Sequence, residues 1–156
     1  MTQKQLNIVN KLSGLEDAVG RLYEVYAAIF PEYQEFWANL VTDEHKHAAW
    51  IRELNSLINN CSFVFNEGRF KIEIIEKFLG YLHEELEKAQ ARAVSLINAL
   101  SITLYIEESL IEQRYFEVVE GDSPELKRVL LDLARDTQKH IALTRSTFNS
   151  YKAKAQ

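Results

Sequence analysis

The twelve residues LVTDEHKHAAWI, from Leu40 to Ile51, place two carboxylates and two histidines within five positions. Glu44 and His47 are three residues apart and share the spacing of one helical face with Leu40 and Ile51. The other acid and the other histidine of the stretch, Asp43 and His45, fall on other faces of the helix. Because an amphipathic helix buries its apolar stripe, this stretch predicts a Glu-x-x-His pair that points into a core.

The composition of the whole chain predicts one globular domain over residues 1–156, long enough for a sizeable core, with 47% hydrophobic and 26% charged residues. A net charge of −5 and the lack of a Lys/Arg run argue against nucleic acid or an anionic membrane as a partner. No apolar run resembles a signal segment or approaches bilayer length. The single cysteine, Cys61, excludes an internal disulfide and a Cys-x-x-Cys iron site, which fits a reducing, cytoplasmic location.

Glycine and proline divide the chain into long helical segments, with breaks at Pro31, at Gly68 and between Gly121 and Pro124. Gly121 is placed to end one helix, and either of the next two residues is placed to begin another before Pro124. The apolar run at 61–65 is too short and isolated to indicate a sheet. We therefore predict an all-α fold.

The helical segments contain four apolar stripes at helical spacing, and each stripe has polar residues in its middle. A carboxylate buried in such a stripe is costly unless it is hydrogen-bonded, neutralised or bound to a cation. A further helix over about 69–87 connects the second stripe to the third. The stripes run Val9, Leu12, Glu16, Val19, Tyr23, Tyr26, Phe30; then Trp37, Leu40, Glu44, His47, Ile51, Leu54, Ile58; then Leu104, Glu108, Ile111, Tyr115, Val118; and finally Leu126, Leu130, Leu133, Thr137, His140, Thr144.

The turn positions predict that the polar residues meet at one level. In an antiparallel helix pair, residues equidistant from the turn lie at the same height. The midpoint of Glu16 and Glu44 is residue 30, and that of Glu108 and Thr137 is 122.5, so both midpoints fall in predicted turns. At about 1.5 Å per residue, each level lies roughly 20 Å from its turn. The four positions form one layer if the two hairpins pack with their inward faces together.

This pattern resembles the ferritin-like di-iron carboxylate family, and within it the rubrerythrin-like branch without a rubredoxin domain. In that architecture a Glu from each of two helices and a Glu-x-x-His from each of two others surround a metal pair. A tyrosine also follows each first-helix Glu by seven residues, as Tyr23 and Tyr115 do here. The resemblance covers about residues 12–148. The matching positions are Glu16, Glu44, His47, Glu108 and His140.

The resemblance implies a ferritin-like four-helix bundle, made of two antiparallel helix hairpins joined by a long crossover that contains an extra helix. It implies that those five residues bind one or two iron ions, with manganese or zinc as alternatives. It also implies oxidoreductase chemistry of the peroxidase or ferroxidase type with peroxide or dioxygen, an external electron donor and a homodimer. The alternative is a non-catalytic metal-binding or structural bundle with a degenerate site.

The chain departs from the family pattern at Thr137, where the second Glu-x-x-His motif would have its Glu. A threonine hydroxyl is neutral and a weak ligand, so a five-ligand site, asymmetric or mononuclear, is expected. Glu112 lies one turn after Glu108 and offers a replacement. Glu107 competes with Glu108, which we prefer because three apolar residues of the third stripe lie on its face.

Several candidate residues have a structural alternative. Ser13-x-x-Glu16 is also a capping box, which would leave Glu16 at a helix start on the surface. His140 beside a threonine is also consistent with a hydrogen-bonded core histidine. His45 and His83 lie off the stripes and are expected to be solvated. Tyrosines near the layer are expected in the core, with hydrogen bonds to ligands as the more specific option.

Overall fold

A computed structural model describes the backbone of residues 3–59 and 67–156, and the side chains of these residues except 57–59 and 67. The described part is all-helical, contains no strand and confirms the predicted all-α class. Two 3₁₀ turns, Pro31–Tyr33 and Glu67–Arg69, lie beside the helices. The five helices are α1 (Gln3–Ile29), α2 (Gln34–Asn59), α3 (Ile72–Gln90), α4 (Leu96–Glu112) and α5 (Pro124–Lys154).

The predicted breaks and connecting helix agree with these bounds. Helix α1 ends before Pro31, and α3 covers most of the predicted 69–87 helix. No helix of the described ranges is both long and apolar enough to cross a membrane. The run at 61–65, with Cys61, and the side chain of Ile58 lie outside the described residues.

The helices pack around one apolar core. Helix α1 lies along both α2 and α3, α4 lies along α5, and α2 meets α5. The first, second and fourth stripes are buried from Val9, Trp37 and Leu126 onward, as predicted, apart from partly buried Phe30. At Gly20 the helices α1 and α2 approach closely, because a Cβ placed there would lie 3.4 Å from the Cβ of Glu44.

The predicted third stripe is wrong. Helix α4 ends at Glu112, so Gly121 caps no helix there and the chain runs through an irregular segment before α5 begins. Arg114, just after the helix, has a left-handed φ of 58°, which ends the helical path. The face of α4 that is buried against the core is instead Ala99, Leu100, Thr103, Ile106, Glu107 and Leu110.

A buried ion pair anchors the segment between α4 and α5. The carboxylate of Asp122 accepts hydrogen bonds from the Arg69 guanidinium at 2.8 and 3.0 Å and from the Val119 amide at 2.9 Å. The next residue, Ser123, caps α5 by accepting from the Leu126 amide, as one of the two predicted N-caps. The α4–α5 connection is therefore held by specific polar contacts.

Replacing Asp122 with alanine is expected to lower the free energy of unfolding by about 3 kcal/mol, because it leaves the largely buried guanidinium of Arg69, whose side chain is 12% exposed, without its counter-charge. Denaturant titration measures the change. The control is Glu117→Ala, which removes an exposed ion pair with Arg114 and is expected to cost about 0–1 kcal/mol. Equal effects of the two substitutions would contradict this account of the segment.

Candidate metal centre

Four helices each contribute a buried polar side chain to one layer of the core. Helix α1 contributes Glu16, α2 contributes Glu44 and His47, and α4 contributes Glu107. Helix α5 contributes His140 together with Thr137, which lies one turn before it. Each of these side chains is at least 97% buried. The sequence therefore concentrates three carboxylates and two imidazoles where the stripes are otherwise apolar.

Two overlapping groups of three residues have the spacing of a metal site. One group is Glu16, Glu44 and His47, and the other is Glu44, Glu107 and His140. Within each group the potential ligand atoms all lie within 4.8 Å of one another. Glu44 belongs to both groups, so its two oxygens face two adjacent positions.

Both histidines direct Nδ1 toward the carboxylates. The Nδ1 atom of His47 lies 3.4 Å from Glu44 Oε2 and 3.9 Å from Glu16 Oε2. The Nδ1 atom of His140 lies 3.1 Å from Glu44 Oε1 and 3.3 Å from Glu107 Oε2. The centroids of the two imidazole rings are 5.6 Å apart. Each half of the layer therefore pairs one imidazole with its own glutamate and with the shared Glu44.

Several carboxylate oxygens in this layer lack a hydrogen-bond donor. Both oxygens of Glu16 are buried and accept no hydrogen bond from any described residue, with His47 Nδ1 no closer than 3.9 Å, and Oε1 of Glu44 has only the ion pair with His140. Buried polar atoms are normally satisfied, because leaving a carboxylate oxygen unpaired in the core is costly. The arrangement therefore fits a cation bound between these oxygens better than a completed hydrogen-bond network.

Two aspartates lie behind the histidines. The Nε2 atom of His47 is 3.4 Å from Asp136 Oδ2, and that of His140 is 3.1 Å from Asp43 Oδ2. Lys46 joins these two carboxylates, at 2.7 Å from Asp43 and 3.2 Å from Asp136. Asp43 was predicted to fall on another face than Glu44, and its side chain nevertheless reaches the layer through His140. An acceptor on Nε2 fixes the imidazole orientation and leaves Nδ1 free to ligate, as in many metal sites.

The carboxylates keep both imidazoles protonated. Burial disfavours the charged form of His47, but its contacts with Glu16 and Glu44 outweigh this effect and raise its pKa to about 10. Burial acts in the same way on His140, yet Glu107 and Glu44 raise its pKa to about 11. Each histidine is therefore an imidazolium near neutral pH while the layer contains only protein groups.

The glutamates differ from one another in their electrostatics. Burial, followed by the charge of Glu44, raises the pKa of Glu16 well above its ordinary value and also raises that of Glu107. Burial opposes ionisation of Glu44 as well, but contacts with His140 and His47 lower its pKa overall. The shared carboxylate is thus the one that is most firmly ionised.

The glutamate of α4 that enters the layer is not the predicted one. Glu107 is fully buried and accepts a hydrogen bond of 2.8 Å from the Tyr23 hydroxyl. Glu108 instead points outward and forms an ion pair of 2.6 Å with Arg145. Glu112 is exposed at the end of the helix, so it does not replace a ligand either. Adjacent helical residues differ by about 100° in direction, which is why only one of the two glutamates reaches the layer.

The positions of Glu16, of the remaining histidines and of the nearby tyrosines agree only in part with the predictions. Helix α1 begins at Gln3, so Glu16 lies in its interior and the capping-box alternative is wrong. His45 and His83 are exposed, as predicted. Tyr23 bonds to a candidate ligand, whereas Tyr105 is 53% exposed.

The tyrosine repeat of the sequence does not hold around the layer. Counting seven residues from Glu107 leads to Arg114 rather than to a tyrosine. Tyr115 is buried beyond the end of α4, and its hydroxyl has no hydrogen-bond partner in the described part of the chain.

Apolar surroundings separate the layer from water on one side. A small cavity there is lined entirely by aliphatic and aromatic side chains, including Leu12, Ile51 and Leu133, each one helical turn from a residue of the layer. On the other side, Trp37 donates a hydrogen bond of 3.1 Å to Thr103, one turn before Glu107. A cation in this layer would be shielded from bulk solvent, which strengthens its attraction to the carboxylates.

The layer thus combines oxygen and imidazole donors, the set that suits iron, manganese and zinc. Its geometry could hold two cations that share one carboxylate. Comparisons of this chain with protein-family models, with curated proteins and with solved structures find no match.

Proposed function

We propose that α1, α2, α4 and α5 form a ferritin-like four-helix bundle and that α3 belongs to the crossover between its two hairpins. The packing of α1 on α2 and of α4 on α5 supports this arrangement, as does the contact between α2 and α5. The inward glutamates and histidines come from these four helices, as the resemblance implies.

Within this fold, we infer that the protein binds two divalent first-row metal ions, with iron as the first candidate and manganese or zinc as alternatives. Glu16 and His47 would hold one ion, Glu107 and His140 the other, and Glu44 both. The observation that carries this proposal is the pair of buried Glu16 oxygens without a hydrogen-bond donor, directly beside the shared carboxylate.

When iron is bound, such a site supplies oxidation chemistry with peroxide or dioxygen, as the resemblance implies. The protein's own groups would support it. Asp43 and Asp136 orient the imidazoles, the Tyr23 hydroxyl fixes the orientation of Glu107, and the apolar cavity excludes water. An external electron donor would be needed for turnover. Consumption of hydrogen peroxide by the iron-loaded protein, but not by the zinc-loaded protein, would separate catalysis from metal binding alone.

A metal-free structural role is the second candidate, and one observation favours it. With both imidazoles protonated, His47 and His140 supply two positive charges against the three glutamates, so the layer is partly neutralised without a metal. In that case the layer would be a buried ion-pair network that fixes the helix register. The two candidates differ in bound metal, which elemental analysis measures directly.

Two adjacent glutamates offer a matched test of metal binding. Protein loaded anaerobically with Fe(II) and freed of excess metal is expected to contain about two ions per chain. Glu107→Gln should reduce this to about one, because it removes a buried carboxylate of one group only. Glu108→Gln makes the same change at the next residue, outside the layer, and should retain both ions.

Metal content is measured by elemental analysis, and circular dichroism checks that each variant is folded. A wild-type content well below one ion per chain would refute the proposed function and favour the structural role. Equal losses in Glu107→Gln and Glu108→Gln would refute the assignment of ligands.

A further inference from the structure

The two five-residue segments of α2 and α5 that contain the histidines of the layer match at every position except two, and only one of these two faces the layer. Residues 43–47 (DEHKH) on α2 and 136–140 (DTQKH) on α5 each supply an aspartate that faces the other segment's histidine. In each segment a lysine three residues after the aspartate is paired with it, at 2.7 and 3.3 Å. His45 and Gln138 differ but are exposed, so among the buried positions only Glu44 lacks a counterpart of the same type, because Thr137 occupies its position.

This mismatch leaves the centre short of one negative charge. Two divalent ions would carry four positive charges, and the carboxylates of Glu16, Glu44 and Glu107 supply three negative ones. A neutral threonine hydroxyl adds none. One monovalent anion would therefore neutralise the loaded centre, which matters in a layer shielded from solvent.

No other described carboxylate compensates for the glutamate that Thr137 replaces. Asp43 and Asp136 face the outer nitrogens of the histidines, and Lys46 joins them. Glu108 is held at the surface by an arginine. Thr137 itself is 99% buried and is shorter than a glutamate by about the size of a carboxylate group.

We propose that Thr137 leaves an open bridging position, where a small monovalent anion with oxygen or nitrogen donor atoms binds across the two metal ions opposite Glu44. Hydroxide, hydroperoxide, formate and azide belong to this class. The inference rests on the proposed two-metal function. It assigns Thr137 the role of keeping that position free for an external ligand.

Azide titration of the cobalt(II)-loaded protein tests the proposal, with visible absorption of the metal as the readout. The wild-type protein is expected to show a saturable spectral change at one azide per two cobalt ions. Thr137→Glu should keep two metal ions but lose this response, because its own carboxylate would occupy the bridging position. Thr137→Val, which replaces the hydroxyl with a methyl group of similar size, should keep the response.

Ser146→Glu is the matched control, since it adds the same carboxylate at an exposed position of the same helix and should keep the azide response. If the buried glutamate prevents folding, Thr137→Gln fills the same space without the charge and should also lose the response. Two bound cobalt ions without an azide response in the wild type, or with an unchanged response in Thr137→Glu, would overturn the bridging position alone. Cobalt content below one ion per chain would overturn the proposed function itself.

Discussion

Replacing Glu44 with glutamine is expected to abolish the binding of both metal ions. Its carboxylate belongs to both groups of potential ligands, whereas Glu16 and Glu107 each belong to one. It is also the glutamate whose ionised form the neighbouring histidines stabilise most. A neutral amide removes the shared negative charge, so we expect the affinity of each metal ion to fall by more than about a hundredfold. This loss exceeds the loss of about tenfold to a hundredfold that is typical when the replaced residue only hydrogen-bonds to a metal ligand.

Calorimetric titration with Fe(II) or Mn(II) under anaerobic conditions measures this loss. Glu16→Gln is the informative comparison, because it should weaken one site and leave the other occupied. Retention of even one tightly bound ion by Glu44→Gln would show that the shared carboxylate does not bridge two sites. Since the substitution also removes a buried partner of His47 and His140, unfolding of the metal-free variant should be recorded alongside.

The sequence predicted those parts of the centre that lie on long, regular helices. On α2 and α5 the apolar stripe is bordered by charged residues, so the phase of each helix is clear, and on α1 the buried face is broader but Glu16 lies within it. Glu16, Glu44, His47 and His140 follow from that phase alone, and all four are buried together. Their role as metal ligands remains a prediction.

Helix α4 could not be oriented in this way, because apolar residues surround it on nearly all sides. Leu104 and Ile111, which led to Glu108, are only partly buried, while the face through Leu100 and Glu107 enters the core. The predicted height of Glu108 also depended on a tight turn near Gly121. The helix in fact ends at Glu112, so the distance along the chain no longer gives the height of a residue on α4.

The aspartates behind the histidines were missed for a different reason. Asp43 and Asp136 lie beside the inward stripe, and their short side chains reach a histidine only because α2 and α5 pack against each other. Helical periodicity within one segment does not contain that information. A signal was nevertheless present, since the aspartate precedes the histidine by four residues in both 43–47 and 136–140.

Metal affinity is expected to rise steeply with pH, because binding must displace protons from the histidines. In the metal-free layer the pKa of His47 is raised to about 10 and that of His140 to about 11, so both are imidazolium at pH 7. A metal ligand must be the neutral imidazole, so occupation of both sites releases about two protons from the histidines, and any proton that burial retains on Glu16 or Glu107 adds to this number. The overall two-ion binding constant should therefore rise at least about a hundredfold per pH unit between pH 6 and 8.

Calorimetry in two buffers of equal pH but different ionisation enthalpy, such as PIPES and ACES, counts the released protons directly. His140→Gln should release about one proton fewer and show about a tenfold rise per pH unit, because only His47 then needs to lose its proton. Exposed His83 provides the control, since His83→Gln should leave the proton count unchanged. A binding heat that is the same in both buffers would mean that these histidines are already neutral or do not ligate the metal. In the first case the carboxylates would not hold the imidazoles protonated in the way that their distances of 3.1 to 3.9 Å imply, and in the second case the proposed histidine ligands would be wrong.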